Sequence, residues 1–354
     1  AIDREAKQIV IAPIRDEDGS EVIGRHRIRY DYLVLAVGSV SNDFGITGIK
    51  DNCLSLESRA DADRFRRRLL NQCLRVSRQM MFDPASDASV KVVIVGGGAT
   101  GVELAAELFS SADALGYYGL EVFDRNRLEV TLLEAGPRIL PMLPEKLAGA
   151  AQEELQNLGV KVLANTQVIE ATPDAILTRD GQTIPADIKV WAAGVRGADF
   201  LHEIGGLETT RTNQLLVRDT LQTTRDDDIF AIGDCASYTP PGHTRPIPPR
   251  AQAAHQMADT VFSNIKALLA SKPLKPFVYQ DKGALVNLAR YSTVGSLMGN
   301  LVGGKMAIEG RLARFVYTSL YRMHLIAIHG WFKGLFLLLV GHVNQVVRPK
   351  LKLH

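Results

Sequence analysis

The sequence predicts an α/β protein of Rossmann type, and three observations carry that prediction. An apolar β-branched run, Val92 to Val95, leads into the spacing Gly96-x-Gly98-x-x-Gly101 and then a helix-forming stretch, together VVIVGGGATGVELAAEL. Strand-like and helix-like segments alternate around it, as in a parallel sheet covered by helices. At the far end, residues 311–354 carry seven Lys or Arg and no Asp or Glu, alternating with apolar helical stretches. That charge asymmetry points to an anionic surface as the partner of the tail.

Taken in order, Ala1 to Tyr30 reads as short strands with a polar turn at RDEDGSE. YDYLVLAVGS, Tyr30 to Ser39, is a buried strand ending in glycine. Residues 59–80 have helical spacing, with Phe65, Leu69, Cys73 and Val76 along one stripe and arginines elsewhere. The arginines at 66–68 read as a solvated helix face, and no nucleic-acid partner is expected. MFDPASDAS is a linker. The dinucleotide unit follows, with the glycine turn, a strand Val130 to Glu134, a helix in LPEKLAGAAQEELQNLG, and strands in VKVLANTQVIEAT, AILTRDGQTI and DIKVWAAG. Beyond Gly194 a further strand, Ile229 to Ile232, is capped by Gly233 and Asp234. The proline-rich loop TPPGHTRPIPP then leads to a helix beginning near Arg250.

Each glycine of the turn has a separate task. Gly96 permits the tight bend, Gly98 lets backbone N–H groups approach a pyrophosphate, and Gly101 lets the helix sit close on the strand. The helix N-terminus supplies unpaired donors and the positive end of a dipole. The fingerprint also needs an acid about 20 residues on, for the adenosine ribose. Glu134 ends the next strand but lies 33 residues after Gly101, and an insertion around GYYGLEVFDRNR accounts for the excess. A carboxylate there repels a 2′-phosphate, so NADH is expected over NADPH.

The three cysteines, Cys53, Cys73 and Cys235, form no C-x-x-C pair and no zinc spacing, so no metal is expected. No apolar run reaches the length of a membrane-spanning helix. Gln252 and Gln256 in RAQAAHQMA are spaced i, i+4 and share a helix face.

YDYLVLAVGS, VVIVGGGATGVELAAEL, VWAAGV, DIFAIGDCAS and RAQAAHQMA stand in an order that resembles the type II NADH dehydrogenases, single-subunit NADH:quinone oxidoreductases that do not pump protons. The tail, FVYTSLYRMH to VRPKLKLH, is similar to the bacterial members. The resemblance implies two Rossmann-type domains, one for FAD and one for NADH. It divides the chain into residues 1–50, the first part of the FAD domain; 51–88, a helical connection; 89–196, the NADH domain; 197–308, the second part of the FAD domain with the quinone-site helix; and 309–354, an amphipathic helical membrane-binding region. The family's FAD domain opens on its own glycine motif, which this sequence does not contain, so the 354-residue chain is expected to hold FAD poorly.

The resemblance further places Gly233 and Asp234 on FAD and points the helix opening at Ala251 toward the isoalloxazine. It sets Gln252 and Gln256 at a quinone entrance and Glu103 near the nicotinamide. Gly194 joins Gly96, Gly98, Gly101 and Glu134 among the cofactor-binding residues. The family motif often carries Glu after the second glutamine, and Met257 stands there in this chain. The implied location is the cytoplasmic face of the bacterial inner membrane, bound peripherally to lipid, with a homodimer left open. A disulfide or sulfide oxidoreductase of the same fold would need paired redox cysteines. A non-catalytic NADH-binding remnant would need only the glycine motif.

Overall fold

The computed structural model describes residues 1–115, 125–288, 292–299, 304–309, 326 and 329–341. Its helices are α1 (Ile49–Asn52), α2 (Arg59–Phe82), α3 (Ala99–Ala114), α4 (Glu145–Leu158) and α5 (Ala251–Leu269), followed by helical residues 329–341. The chain separates into two compact units. Unit one takes Ala1–Val40 and Val195–Asp281, and unit two takes Ser41–Gly194 with the described residues from Lys282 onward.

Unit two is built on four parallel strands in the order Lys161–Leu163, Leu128–Leu133, Val90–Val95, Ile188–Trp191. From Val92 to Val95 the central strand is a continuous apolar run, because both faces are covered there. Its side chains alternate between two cores. Val90, Val92 and Ile94 pack with Phe65, Leu69, Cys73 and Val76 of α2, with α3, and with Leu147, Ala151 and Leu155 of α4. Val93 and Val95 pack with Leu133, Trp191 and the three-stranded antiparallel meander of Val168–Ala171, Ala175–Thr178 and Thr183–Pro185. Ser58 caps α2, its hydroxyl accepting from the Asp61 amide, and the buried stripe of this helix is the predicted one.

Unit one pairs Leu33–Leu35 in parallel with Ile229–Ala231 of the strand Asp226–Ala231. Ala253, Met257 and Val261 of α5 close its core against Leu35, Leu215, Phe230 and Phe277. Buried Asn264 ties α5 to the chain around it. Its Nδ2 donates to the Thr220 and Lys275 carbonyls, and its Oδ1 accepts from the Lys275 amide.

Two boundaries differ from the sequence reading. Residues 41–50 and α2 belong with the nucleotide sheet. Residues 283–288 fall in the span 197–308 expected for the second part of the FAD domain; they form a strand, Gly283–Leu288, that puts Val286 and Leu288 into the core under α3. Most of the insertion after α3 and most of 309–354, including Arg348, Lys350 and Lys352, lie outside the described residues. No helix among the described residues is long and apolar enough to cross a membrane.

Candidate functional site

The glycine turn is shaped as its sequence requires. Gly96 has φ +117°, and a Cβ there would lie 2.6 Å from the Ala192 carbonyl oxygen. A Cβ on Gly101 would lie 2.0 Å from the Gly96 carbonyl oxygen, so helix and turn meet at backbone distance. Gly98 differs: a Cβ there would meet nothing within 4 Å. Gly98 is the N-cap of α3, no side chain caps the helix, and its first turn carries no acid. Space, unpaired amides and a positive dipole end coincide at the place a pyrophosphate needs them.

Glu134 is joined to this turn. Its Oε2 accepts from the Gly97 amide at 2.7 Å and its Oε1 from the Gly136 amide at 2.6 Å. A carboxylate accepts more than two hydrogen bonds, so the pinned group keeps acceptor capacity for ribose hydroxyls. Arg138, which the sequence reading passed over, is the nearest arginine in sequence. Its guanidinium donates to the carbonyls of Leu140, Pro141 and Leu143, which makes it a brace of this loop rather than a phosphate receptor. Ala192, which packs on Gly96, leads to Gly194 at φ +74°. A Cβ on Gly194 would lie 2.8 Å from the ring of Phe44. Phe44 stands edge-on to Trp191 and is 60% exposed, an aromatic surface that local sequence gave no reason to single out.

Glu103 leaves the turn along α3. Its Oε1 accepts from the Asn287 amide at 2.9 Å, on the strand Gly283–Leu288. Burial pushes its carboxyl above the ordinary range, against the opposing effect of that hydrogen bond.

A second cluster lies within unit one. The strand Asp226–Ala231 runs into Gly233, at φ +71°, where an added Cβ would touch Ala254 of α5 at 3.4 Å. Asp234 Oδ2 accepts from the Ser39 hydroxyl at 2.9 Å, and its main-chain carbonyl accepts from Gln214 Nε2 at 2.9 Å. Two neighbours that sequence reading missed therefore hold this aspartate. Arg250, the N-cap of α5, has no side-chain cap bond, so the helix opens at Ala251 with free dipole strength. A held carboxylate, a left-handed glycine and an uncapped helix end at the carboxyl edge of parallel strands suit a dinucleotide with polyol and phosphate groups.

The two glutamines share a face but take different partners. Gln256 pairs with the backbone of Gln280, Nε2 to its carbonyl and Oε1 from its amide, both at 2.9 Å. Gln252 Nε2 donates to Asp281 Oδ1 at 3.2 Å, and Arg250 Nη1 lies 3.4 Å from Asp281 Oδ2. Met257 is buried, and its Sδ accepts from the Gly233 amide at 3.3 Å. His255 lies on the outer face of α5, 3.7 Å from Asp259.

The thiols are built into the packing. All three are free; burial pushes Cys53 to about 11 and Cys73 to about 12, and also raises Cys235. None is a ready nucleophile or half of a redox pair.

The family model of pyridine nucleotide-disulphide oxidoreductases matches residues 1–258. The type II NADH:quinone oxidoreductase of Haemophilus influenzae is 46% identical, over the whole of this chain and 82% of its own length. That of Staphylococcus aureus is 33% identical over 78% of this chain and 68% of its own length. Among solved structures, NDH2 from Plasmodium falciparum in complex with NADH aligns with a TM-score of 0.76. It is 18% identical, over 97% of this chain and 82% of that one. That likeness is one of fold.

Proposed function

This chain belongs to the pyridine nucleotide-disulphide oxidoreductases, in the branch of the type II NADH:quinone oxidoreductases, and we propose how its residues divide that work. The reaction oxidises NADH and reduces a quinone. FAD, when bound, supplies the two-electron relay between them.

The turn at Gly96, Gly98 and Gly101 holds the NADH pyrophosphate on the N-terminus of α3, and Glu134 takes the adenosine ribose. Gly194 and Phe44 line the approach of the nicotinamide end. The observation that carries this reading is the double hold on Glu134, which fixes a carboxylate beside the phosphate turn. Asp234, oriented by Ser39, receives the ribityl and pyrophosphate portion of FAD next to Gly233. The start of α5 at Ala251 favours negative charge on the flavin ring. Gln252 and Gln256 form the polar wall of the quinone entrance. Glu103 acts from α3 by holding the strand that follows α5.

The C-terminal region meets the lipid surface without crossing it, and no proton is pumped. Helical residues 329–341 support this, because Trp331, Phe332 and Phe336 are exposed and Lys333 stands among them. Such a face suits the acyl boundary of the inner leaflet, with basic residues at the headgroups. A lipid-soluble quinone would reach the enzyme there.

Rapid mixing tests the division of labour. Gln252→Leu is expected to leave flavin bleaching by NADH at the parent rate and to slow reoxidation by quinone. Equal loss in both half-reactions would reject the assignment of α5 to quinone.

A further inference from the structure

We infer that Arg138 is a positioning residue of the NADH site, which fixes the direction of the Gly98 N–H through the amide of Leu140. The inference rests on the placing of the NADH pyrophosphate at the glycine turn and deepens it. Gly97 stands between Gly96 and Gly98 and is held from both sides. Its amide donates to Glu134 Oε2 at 2.7 Å, and its carbonyl accepts from the Leu140 amide at 2.7 Å. A Cβ on Gly97 would lie 2.9 Å from both Glu134 Oε2 and Ile139 Cγ2, so the turn rests directly on the loop that follows Glu134.

The peptide bond carries this hold to the binding face. The Gly97 carbonyl and the Gly98 N–H belong to one peptide unit, which is planar and trans. The two groups therefore point in opposite directions. With the carbonyl turned to Leu140, the Gly98 N–H is turned away from the loop. Gly98 is the N-cap of α3, and a Cβ there would meet nothing within 4 Å. The Leu140 bond thus sets the direction of an amide at the residue where the turn is open, and a pyrophosphate oxygen needs such a donor.

Arg138 holds Leu140 in place. Leu140 is left-handed, at φ +49°, a conformation uncommon for any residue but glycine. Burial of Ile139, Leu140 and Leu143 keeps the loop on the core, but apolar contact is non-directional and does not orient peptide groups. The guanidinium does. Its Nη1 donates to the Leu140 and Leu143 carbonyls, both at 3.1 Å, and its Nη2 to the Pro141 carbonyl at 3.2 Å. The Leu143 amide adds a bond to the Leu140 carbonyl at 2.9 Å. A planar fork with fixed donor directions sets the three carbonyls together, and with them the chain that follows the Leu140 amide. The buried side chains supply stability, and Arg138 supplies direction.

The test compares Arg138→Met, which keeps an apolar stem and loses the donors, with Arg138→Lys and Gly98→Ala. Three quantities are read: the Kd of ADP-ribose by calorimetry, hydrogen exchange of the segment 134–144 by mass spectrometry, and KM and kcat for NADH in the FAD-loaded enzyme. Arg138→Met is expected to raise the ADP-ribose Kd and the NADH KM together by about tenfold, with a smaller change in kcat, and to speed exchange in 134–144. Arg138→Lys has one nitrogen in place of the fork and should raise both constants by about threefold. An unchanged ADP-ribose Kd in Arg138→Met would overturn the inference. Loss of affinity with parent-like exchange in 134–144 would make Arg138 a direct ligand contact and equally overturn it. Should Arg138→Met fail to fold, Arg138→Lys decides, and a parent-like Kd in it counts against the fork. If Gly98→Ala leaves the ADP-ribose Kd unaltered, the placing of the pyrophosphate fails first. If Gly98 matters and Arg138 does not, only the present inference falls.

Discussion

The Ser39 hydroxyl donates to Oδ2 of Asp234 at 2.9 Å, joining the ends of two parallel strands across 195 positions of sequence. The bond leaves the second carboxylate oxygen, Oδ1, directed by the first. Ser39→Ala removes the donor while the backbone stays in place. FAD affinity should fall by about fivefold, the worth of about 1 kcal/mol for one hydrogen bond. Fluorescence of released FAD on serial dilution measures it, and parent-like retention would show that Asp234 needs no orientation from Ser39.

Glu134→Gln removes the charge and keeps one acceptor oxygen, so it retains one of the two backbone bonds, to Gly97 or to Gly136, and turns its NH2 toward the other amide. The preference for NADH over NADPH should narrow by about tenfold, through improved kcat/KM for NADPH. An unaltered ratio would move nucleotide selection to another residue.

Two glycines of one turn should separate stability from binding. Gly101→Ala drives a methyl group to 2.0 Å from a carbonyl oxygen and should cost about 2 kcal/mol or more, seen as a lower Tm. Gly98→Ala meets nothing within 4 Å, so Tm should hold while KM for NADH rises, because the methyl group occupies the phosphate's place. The reverse pattern would mean that the open space at Gly98 is not where NADH lies.

Glu103 makes stability depend on pH. Its folded value is raised above the ordinary 4.5, so the folded state binds more protons than the unfolded one between 4.5 and the raised value. The contribution is fully present below 4.5 and is lost as pH rises through the folded value. Glu103→Gln keeps an acceptor for the Asn287 amide without the charge. It should flatten the dependence of Tm on pH above 4.5 and hold or raise Tm at neutral pH. A Tm profile parallel to the parent's would show that Glu103 ionises without cost.

Serines in place of Trp331, Phe332 and Phe336 should release the enzyme from anionic vesicles and lower activity with a long-tailed quinone. Reduction of a water-soluble acceptor should persist. If vesicle binding is unchanged and light scattering reports a smaller particle, the same face joins two copies of the chain instead.

Local signals made much of this molecule legible. The stripe Phe65, Leu69, Cys73 and Val76 is a periodicity, and the glycine turn with its flanking strand and helix is a contiguous motif. Glu134 was legible because an acid ends the next strand. The partners of the second cluster were not, because Ser39, Gln214 and Asp281 meet Asp234 and Gln252 only through tertiary packing. The strand Gly283–Leu288 was not singled out from the sequence, and only the packing shows which core receives Val286 and Leu288.

The order in which the two units are completed follows from how the chain is threaded through them. All four strands of the nucleotide sheet lie between Val90 and Trp191, so that sheet can assemble as soon as this stretch leaves the ribosome. Leu33–Leu35 emerges earlier yet pairs with Ile229–Ala231, and Leu35 receives the Cys235 thiol from 200 positions away. During synthesis at roughly 5–20 residues per second, an apolar strand therefore waits unpaired for about ten seconds or more while its neighbour is made. Nascent chains stalled before residue 226 should bind a chaperone through this strand, and chains stalled well after residue 281 should have released it.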